Sequence, residues 1–153
     1  MRTFVAATLA AAVTASDHWA VLIAGSKGYD NYRHQADVAH AYTIFKKNGI
    51  PAENIIYMAY DDVAQSPENP YRGKLFNKTD GPNVYDASVV DYKGEQVSIK
   101  NFLAVLTGDE KTTGGKVLKS TEESNVFVYY ADHGAPGIIC LPADSRCDKL
   151  YAD

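Results

Sequence analysis

The sequence predicts an α/β protein built as three layers around a mostly parallel sheet. Three observations carry this. Short apolar runs bounded by turn residues recur at residues 19–24, 55–59 and 126–131, each of strand length. Between them lie segments whose apolar residues return at three- and four-residue spacing, the pattern of amphipathic helices. The resulting strand–helix–strand–helix–strand order calls for right-handed crossovers and helices packed on a parallel sheet.

The elements follow in order. Met1, Arg2 and Thr3 make a short positive start, residues 4–13 are apolar and alanine-rich, and Val13, Thr14 and Ala15 are small or short. That succession is a secretory signal peptide over residues 1–16, cleaved after Ala15 or Ser16. It is shorter than the roughly 20 apolar residues a membrane-spanning helix needs. Residues 17–153 then form one domain. The first strand ends in Gly25, and residues 25–31 are a Gly-, Ser- and Asp-containing loop. A helix runs from Arg33 or His34 to Lys47, with Ala36, Ala39, Tyr42 and Phe45 on its apolar face. Lys46 and Lys47 suit its last turn, Gly49 its exit, and Pro51 prevents continuation.

The second strand is followed by a long irregular stretch, residues 61–85, punctuated by Pro67, Pro70, Gly73, Gly81 and Pro82. Residues 89–92 are expected to form a short strand. Ser98 is placed as the N-cap of a helix carrying Phe102, Val105 and Leu106 and ending at Gly108. Residues 109–123 are read as a polar loop. The third strand follows, and residues 138–141 as a short fourth one.

The candidate site lies where the third strand stops, at Asp132-His133-Gly134. Open α/β sheets place their chemistry at the carboxyl ends of strands. A histidine there titrates near neutral pH, and the glycine permits a sharp turn beside it.

Composition narrows the function. Fifteen Lys and Arg residues against 19 Asp and Glu give a net charge of −4, with no long basic run. Nothing in this supports nucleic-acid binding. The two cysteines, Cys140 and Cys147, are able to pair in an oxidising compartment, though the sequence leaves their geometry open. They are too few for a zinc site, and no metal or organic cofactor is implied. Cys140 sits among Ile138, Ile139 and Leu141, a setting that raises a thiol pKa rather than activating it. His18 and His40 are read as structural or surface positions. Asn77-Lys78-Thr79 is an N-glycosylation acceptor in a polar stretch.

Many blocks from Asp17 to nearly the end of the chain resemble the legumain family, asparaginyl endopeptidases of the caspase-like cysteine protease clan. They include residues 18–26, Asn31 to Asp37, Gly49-Ile50-Pro51, Asp61-Asp62, Asn69-Pro70, residues 101–106 and Asp132-His133-Gly134. The resemblance implies a caspase-like sandwich with the first strand between the second and third. The 153 residues would be about the first half of that domain, leaving the third strand with an unpaired edge. It also implies site roles. His133 is the catalytic base, oriented by Asn31, with Gly134 turning a backbone N–H toward the oxyanion. Arg33 and His34 line a pocket for a substrate asparagine, and Asp132 modulates pH behaviour and a ligase side activity. The Arg33 guanidinium stands at a helix start, where positive charge is otherwise unfavourable. The family's Glu-Ala-Cys block, which carries the nucleophile, is not among these residues, so the chain alone is expected to be inactive.

The expected partners are peptides or proteins with asparagine before the cleaved bond. The expected location is the secretory pathway, a lysosome- or vacuole-like compartment or the exterior. Two other readings stand beside this one: the catalytic subunit of the glycosylphosphatidylinositol transamidase, which shares the fold and parts of these motifs, and a truncated non-enzymatic remnant or pseudo-protease that at most binds peptides, which the missing cysteine favours.

Overall fold

The computed structural model describes residues 17–144 and 147–152. The expected signal peptide lies outside them. Strand β1 (His18–Ala24) is the centre of a parallel three-stranded sheet, flanked by β2 (Ile55–Met58) and β3 (Asn125–Ala131). The order β2-β1-β3 is the one the resemblance implies.

β1 is apolar from Trp19 to Ala24 because alternate side chains enter two different cores. Ala20, Leu22 and Ala24 pack under helix α1 (Tyr32–Lys47) with Val38 and Ala39. Trp19, Val21 and Ile23 pack on the other face with Phe102 and Val105 of helix α2 (Ile99–Leu106). Two covered faces make the three layers.

The helix ends follow the local chemistry. Lys46 and Lys47 occupy the last turn of α1, and Gly49 takes a left-handed φ of +90° as the chain leaves it. The Ser98 hydroxyl accepts from the Asn101 N–H at the start of α2. No helix among the described residues is long and apolar enough to cross a membrane.

Two expectations need correction. Residues 89–92 form no strand. A 3-10 turn over Ala87–Val89 leads to a single bridge between Met58 and Tyr92. The Asp91 carboxylate takes the Tyr57 N–H at 2.9 Å, displacing the ladder carbonyl that a longer strand would offer. Inside the expected polar loop, a short helix α3 (Glu110–Thr113) forms, capped by Asp109 and closed by Gly114 at φ +62°. The short fourth strand is present as expected, β4 (Ile138–Leu141), and lies outside the main sheet. It pairs antiparallel with β5 (Asp148–Tyr151), an element too short and polar to register as an apolar run. A Cys140–Cys147 disulfide ties this hairpin, resolving the pairing that the sequence left open.

The outer edge of β3 has no strand partner among the described residues. Val126, Phe127 and Val128 on it are 42%, 53% and 45% exposed, unusual for a core strand.

Candidate active site

Parallel pairing brings two sequence-distant segments together. Ala24 and Ala131 are register partners at the carboxyl ends of β1 and β3, and the Gly25 N–H closes the pair by donating to the Ala131 carbonyl at 2.9 Å. The loop leaving β1 therefore lies beside Asp132-His133. Glycine is required at 25: a Cβ there would meet Tyr130 Oη, Asp132 Cβ and the Cys140 carbonyl at 2.6 to 2.8 Å.

The loop is pinned from below. Asp62 accepts from the Gly28 N–H at 2.8 Å and from the Gln35 amide at 2.7 Å. Asn31 stands at the N-cap position of α1 but does not cap it. Its Nδ2 donates to the Lys27 carbonyl, which turns its Oδ1 toward His133 Nε2 at 2.7 Å.

Arg33 completes the surroundings of the ring. One guanidinium nitrogen lies 3.2 Å from His133 Nδ1. A guanidinium only donates, so Nδ1 is the acceptor and the ring proton sits on Nε2, directed at Asn31. Among the described residues Arg33 makes no ion pair with a carboxylate.

His34 is placed differently. It is buried, 3% exposed, and its ring stands edge-on to that of His133 at 4.9 Å between centroids. Its Nδ1 is 2.6 Å from Ser26 Oγ and 3.6 Å from Asp132 Oδ1. The last distance is an ion pair only if the ring is charged. Burial first, then the nearby Arg33 charge, lowers the His34 pKa below the ordinary histidine value, so the ring facing Asp132 is neutral near pH 7.

Asp132 is almost enclosed. Its Oδ2 accepts from the Tyr130 hydroxyl at 2.8 Å, while Oδ1 has no hydrogen-bond partner. The Tyr130 hydroxyl also lies 2.6 Å from the Cys140 carbonyl and accepts from the Cys140 N–H at 3.0 Å. Burial and the bond to Asp132 push its pKa well up, keeping it protonated. Tyr130 thus links the disulfide hairpin to the carboxylate beside His133.

These groups border a cleft of about 420 Å³ whose lining includes Ser26, Asn31, Asp132, His133, Gly134 and Cys140. Gly134 turns there at φ +74°. His34, Asp132 and His133 offer atoms within 4.8 Å of one another that could ligate a metal. Both His133 nitrogens are already engaged, and one faces a guanidinium, an arrangement that repels a cation. Asn77 is apart from this cleft, half-buried, with its amide donating to Asp37.

The structure thus gathers Asn31, Arg33, His34, Asp132, His133 and Gly134 at one sheet end. Sequence reasoning did not single out Ser26, Asp62 or Tyr130. Ser26 stands two residues beyond the end of the first strand, and Tyr130 alternates with Val128 along the third. Each reads as an ordinary loop or core residue until the fold places it.

The profile of the peptidase C13 family matches residues 18–153. The chain is 53% identical over 140 residues to a hemoglobinase of Schistosoma mansoni, an alignment covering 92% of this chain and 32% of that protein. It is 53% identical over 131 residues to mouse (Mus musculus) legumain, covering 83% and 30% respectively. It is also 53% identical over 127 residues to the vacuolar-processing enzyme beta-isozyme of Arabidopsis thaliana, covering 81% and 26%. The chain spans about a third of the length of the curated relatives it matches first.

Proposed function

The chain belongs to the peptidase C13 family, and from that premise we propose that it supplies the base and recognition half of a cysteine endopeptidase site that cleaves after asparagine. The observation carrying this is the His133 ring held between Asn31 and Arg33, with its basic nitrogen on the Arg33 side.

Nδ1 is where a cysteine thiol brought to this site gives up its proton. The resulting sulfur attacks the scissile carbonyl carbon, and the carbonyl oxygen becomes an oxyanion that accepts from the Gly134 N–H. Collapse expels the amine, which takes the proton back from His133. Water, deprotonated by the same ring, then hydrolyses the thioester. Asn31 holds the ring orientation throughout. Arg33, exposed at the start of the helix, exchanges its contact with Nδ1 for the substrate carboxamide oxygen and donates to it. The thiol does not come from Cys140 or Cys147, which are joined to each other.

The disulfide and the Asn77-Lys78-Thr79 acceptor support passage through the secretory pathway toward a lysosome- or vacuole-like compartment. Fluorogenic peptides with asparagine, glutamine or alanine before the labelled bond test the activity, using the chain extended to the length of its relatives. Asparagine-selective release that His133→Ala abolishes is the expected result. Equal release from all three peptides removes the specificity. For localisation, a glycosidase-sensitive mobility shift and a mature N-terminus near Asp17 are expected, and an unglycosylated protein retaining Met1 contradicts the route.

A further inference from the structure

Two histidines lie ring against ring at the catalytic end of the sheet, and only one can carry the reaction's proton. His133 must become imidazolium for the thiol to ionise. A second charge on His34, with ring centroids 4.9 Å apart, would oppose that. Burial and Arg33 disfavour a charge on His34, and a hydrogen bond decides which of its nitrogens carries the one proton.

Ser26 is the group in position to make that bond. It is 8% exposed, and its Oγ lies 2.6 Å from His34 Nδ1. The direction of this bond follows from its neighbours. Asp132 Oδ1, buried and without a donor, lies 3.6 Å from the same nitrogen. A proton on Nδ1 would be drawn to that carboxylate oxygen and satisfy it. Against that, Ser26 Oγ has no other hydrogen-bond partner among the described residues, so its own proton has no other acceptor there, and Nδ1 accepts.

We propose that Ser26 is a positioning residue: by donating its hydroxyl proton to Nδ1 it holds His34 as the neutral Nε2–H tautomer, leaving His133 as the ring that takes the charge during catalysis. This rests on the reading of His133 as the catalytic base. The groups facing His34 from every side agree on balance. Burial, Arg33 and His133 disfavour its charged form, in competition with Asp132 and Asp37, and the net shift is downward.

The Asp132 carboxylate gives the arrangement its alternative state. When His34 does gain a proton, Nδ1 becomes a donor and Asp132 Oδ1 receives the partner it lacks. Ser26 therefore sets how readily the His34–Asp132 pair forms.

The test is nitrogen-15 NMR of histidine-labelled chain, in which long-range proton–nitrogen correlations distinguish the two tautomers through a pH titration. In the unsubstituted chain His34 should be the Nε2–H form and charge below the ordinary histidine value. Ser26→Ala should turn it to the Nδ1–H form bonded to Asp132 and raise its proton affinity roughly five- to tenfold, the worth of one buried hydrogen bond. Ser26→Thr, which keeps a hydroxyl, should restore the original tautomer. Asp132→Asn should leave the tautomer of the otherwise unsubstituted chain unchanged, and it serves as the deciding variant if Ser26→Ala does not fold. An Nδ1–H tautomer in the unsubstituted chain, an unchanged titration in folded Ser26→Ala, or a tautomer that switches in Asp132→Asn each overturns the proposal. None of these readings uses peptide hydrolysis, so they stand or fall separately from the asparaginyl peptidase assignment, which the fluorogenic assay decides.

Discussion

Asn31 Oδ1 and His133 Nε2 are 2.7 Å apart although 102 positions separate them in sequence. The contact exists because Asn31, at the start of α1, leaves the helix uncapped and turns toward the end of β3. Its amide is used for orientation rather than for helix stability. Asn31→Ala in the extended protein should therefore lower kcat about ten- to a hundredfold by freeing the ring, with little change in KM. Stability to urea should fall by no more than about 1 kcal/mol, the value of one exposed hydrogen bond. An unchanged kcat would return Asn31 to an ordinary turn residue.

Gly25 is the close-approach point of the site. Any Cβ there falls within 2.8 Å of the Asp132 Cβ and the Cys140 carbonyl. Neither neighbour is the free end of a flexible chain, so relief requires backbone movement. Gly25→Ala should cost about 1–3 kcal/mol, seen as a lower urea midpoint, and should disturb the Tyr130–Asp132 contact. A fully stable variant with unaltered histidine spectra would mean the loop yields more easily than its packing indicates.

Much of this was legible before the fold was known, and the remainder was hidden for physical reasons. β1 and β2 announced themselves because burial on both faces demands uninterrupted apolar runs, and β3 carries the same kind of run although its outer half is exposed. The Lys46-Lys47, Gly49 and Ser98 signals located helix ends because unsatisfied terminal groups constrain local sequence. Asp132-His133-Gly134 and Asn31 to His34 marked the site by position and by resemblance. The supporting contacts were not readable. Asp62 acts on Gly28 and Gln35 across 34 and 27 positions, Ser26 meets His34 only once the loop turns back on the helix start, and Tyr130 lies two residues from Asp132 in a spacing that reads as ordinary strand alternation. The pairing of β4 with β5 was missed for a related reason: Asp148–Tyr151 is half polar, and a disulfide rather than a long apolar run ties its hairpin.

Stability should decline on the acid side of neutrality. His34 has a folded pKa below the ordinary histidine value of 6.5, chiefly through burial. The fold thus favours the neutral ring. That contribution is fully present above 6.5 and is lost as the pH falls through the folded value. Asp86 and Asp109, whose carboxyls are held low by Ser88 and Thr112, act in a separate window below 3.8. Urea midpoints measured from about pH 7.5 to 5 should fall, and His34→Gln should flatten that slope. A midpoint that rises on acidification, or an identical slope in the variant, contradicts the assignment.

The 153-residue chain on its own should hydrolyse no peptide bond. Its cysteines, Cys140 and Cys147, are paired, and an imidazole alone forms no acyl-enzyme. Purified chain incubated with an asparagine-containing fluorogenic peptide at mildly acidic pH should release no fluorophore. Turnover that Cys140→Ala abolishes would make Cys140 the nucleophile and the disulfide its resting form. Peptide binding without turnover by a protein extended to full length would favour a non-enzymatic binder.

Arg33 separates recognition from chemistry. It is an exposed cation in the first turn of α1, where the helix dipole opposes it, and no carboxylate compensates it among the described residues. Its contact at 3.2 Å is to His133 Nδ1, a neutral acceptor that it can exchange for a carboxamide oxygen. A charged donor to a neutral amide is worth about 1.5–3 kcal/mol. Arg33→Ala in the extended protein should therefore cost tenfold or more in kcat/KM for asparagine substrates. Rates for alanine substrates, which offer no carboxamide, should change far less. Arg33→Lys should recover only part of the loss, because an ammonium lacks the planar fork of donors. If asparagine selectivity survives Arg33→Ala, the cation serves only the His133 ring, and the recognition pocket must be built from other residues.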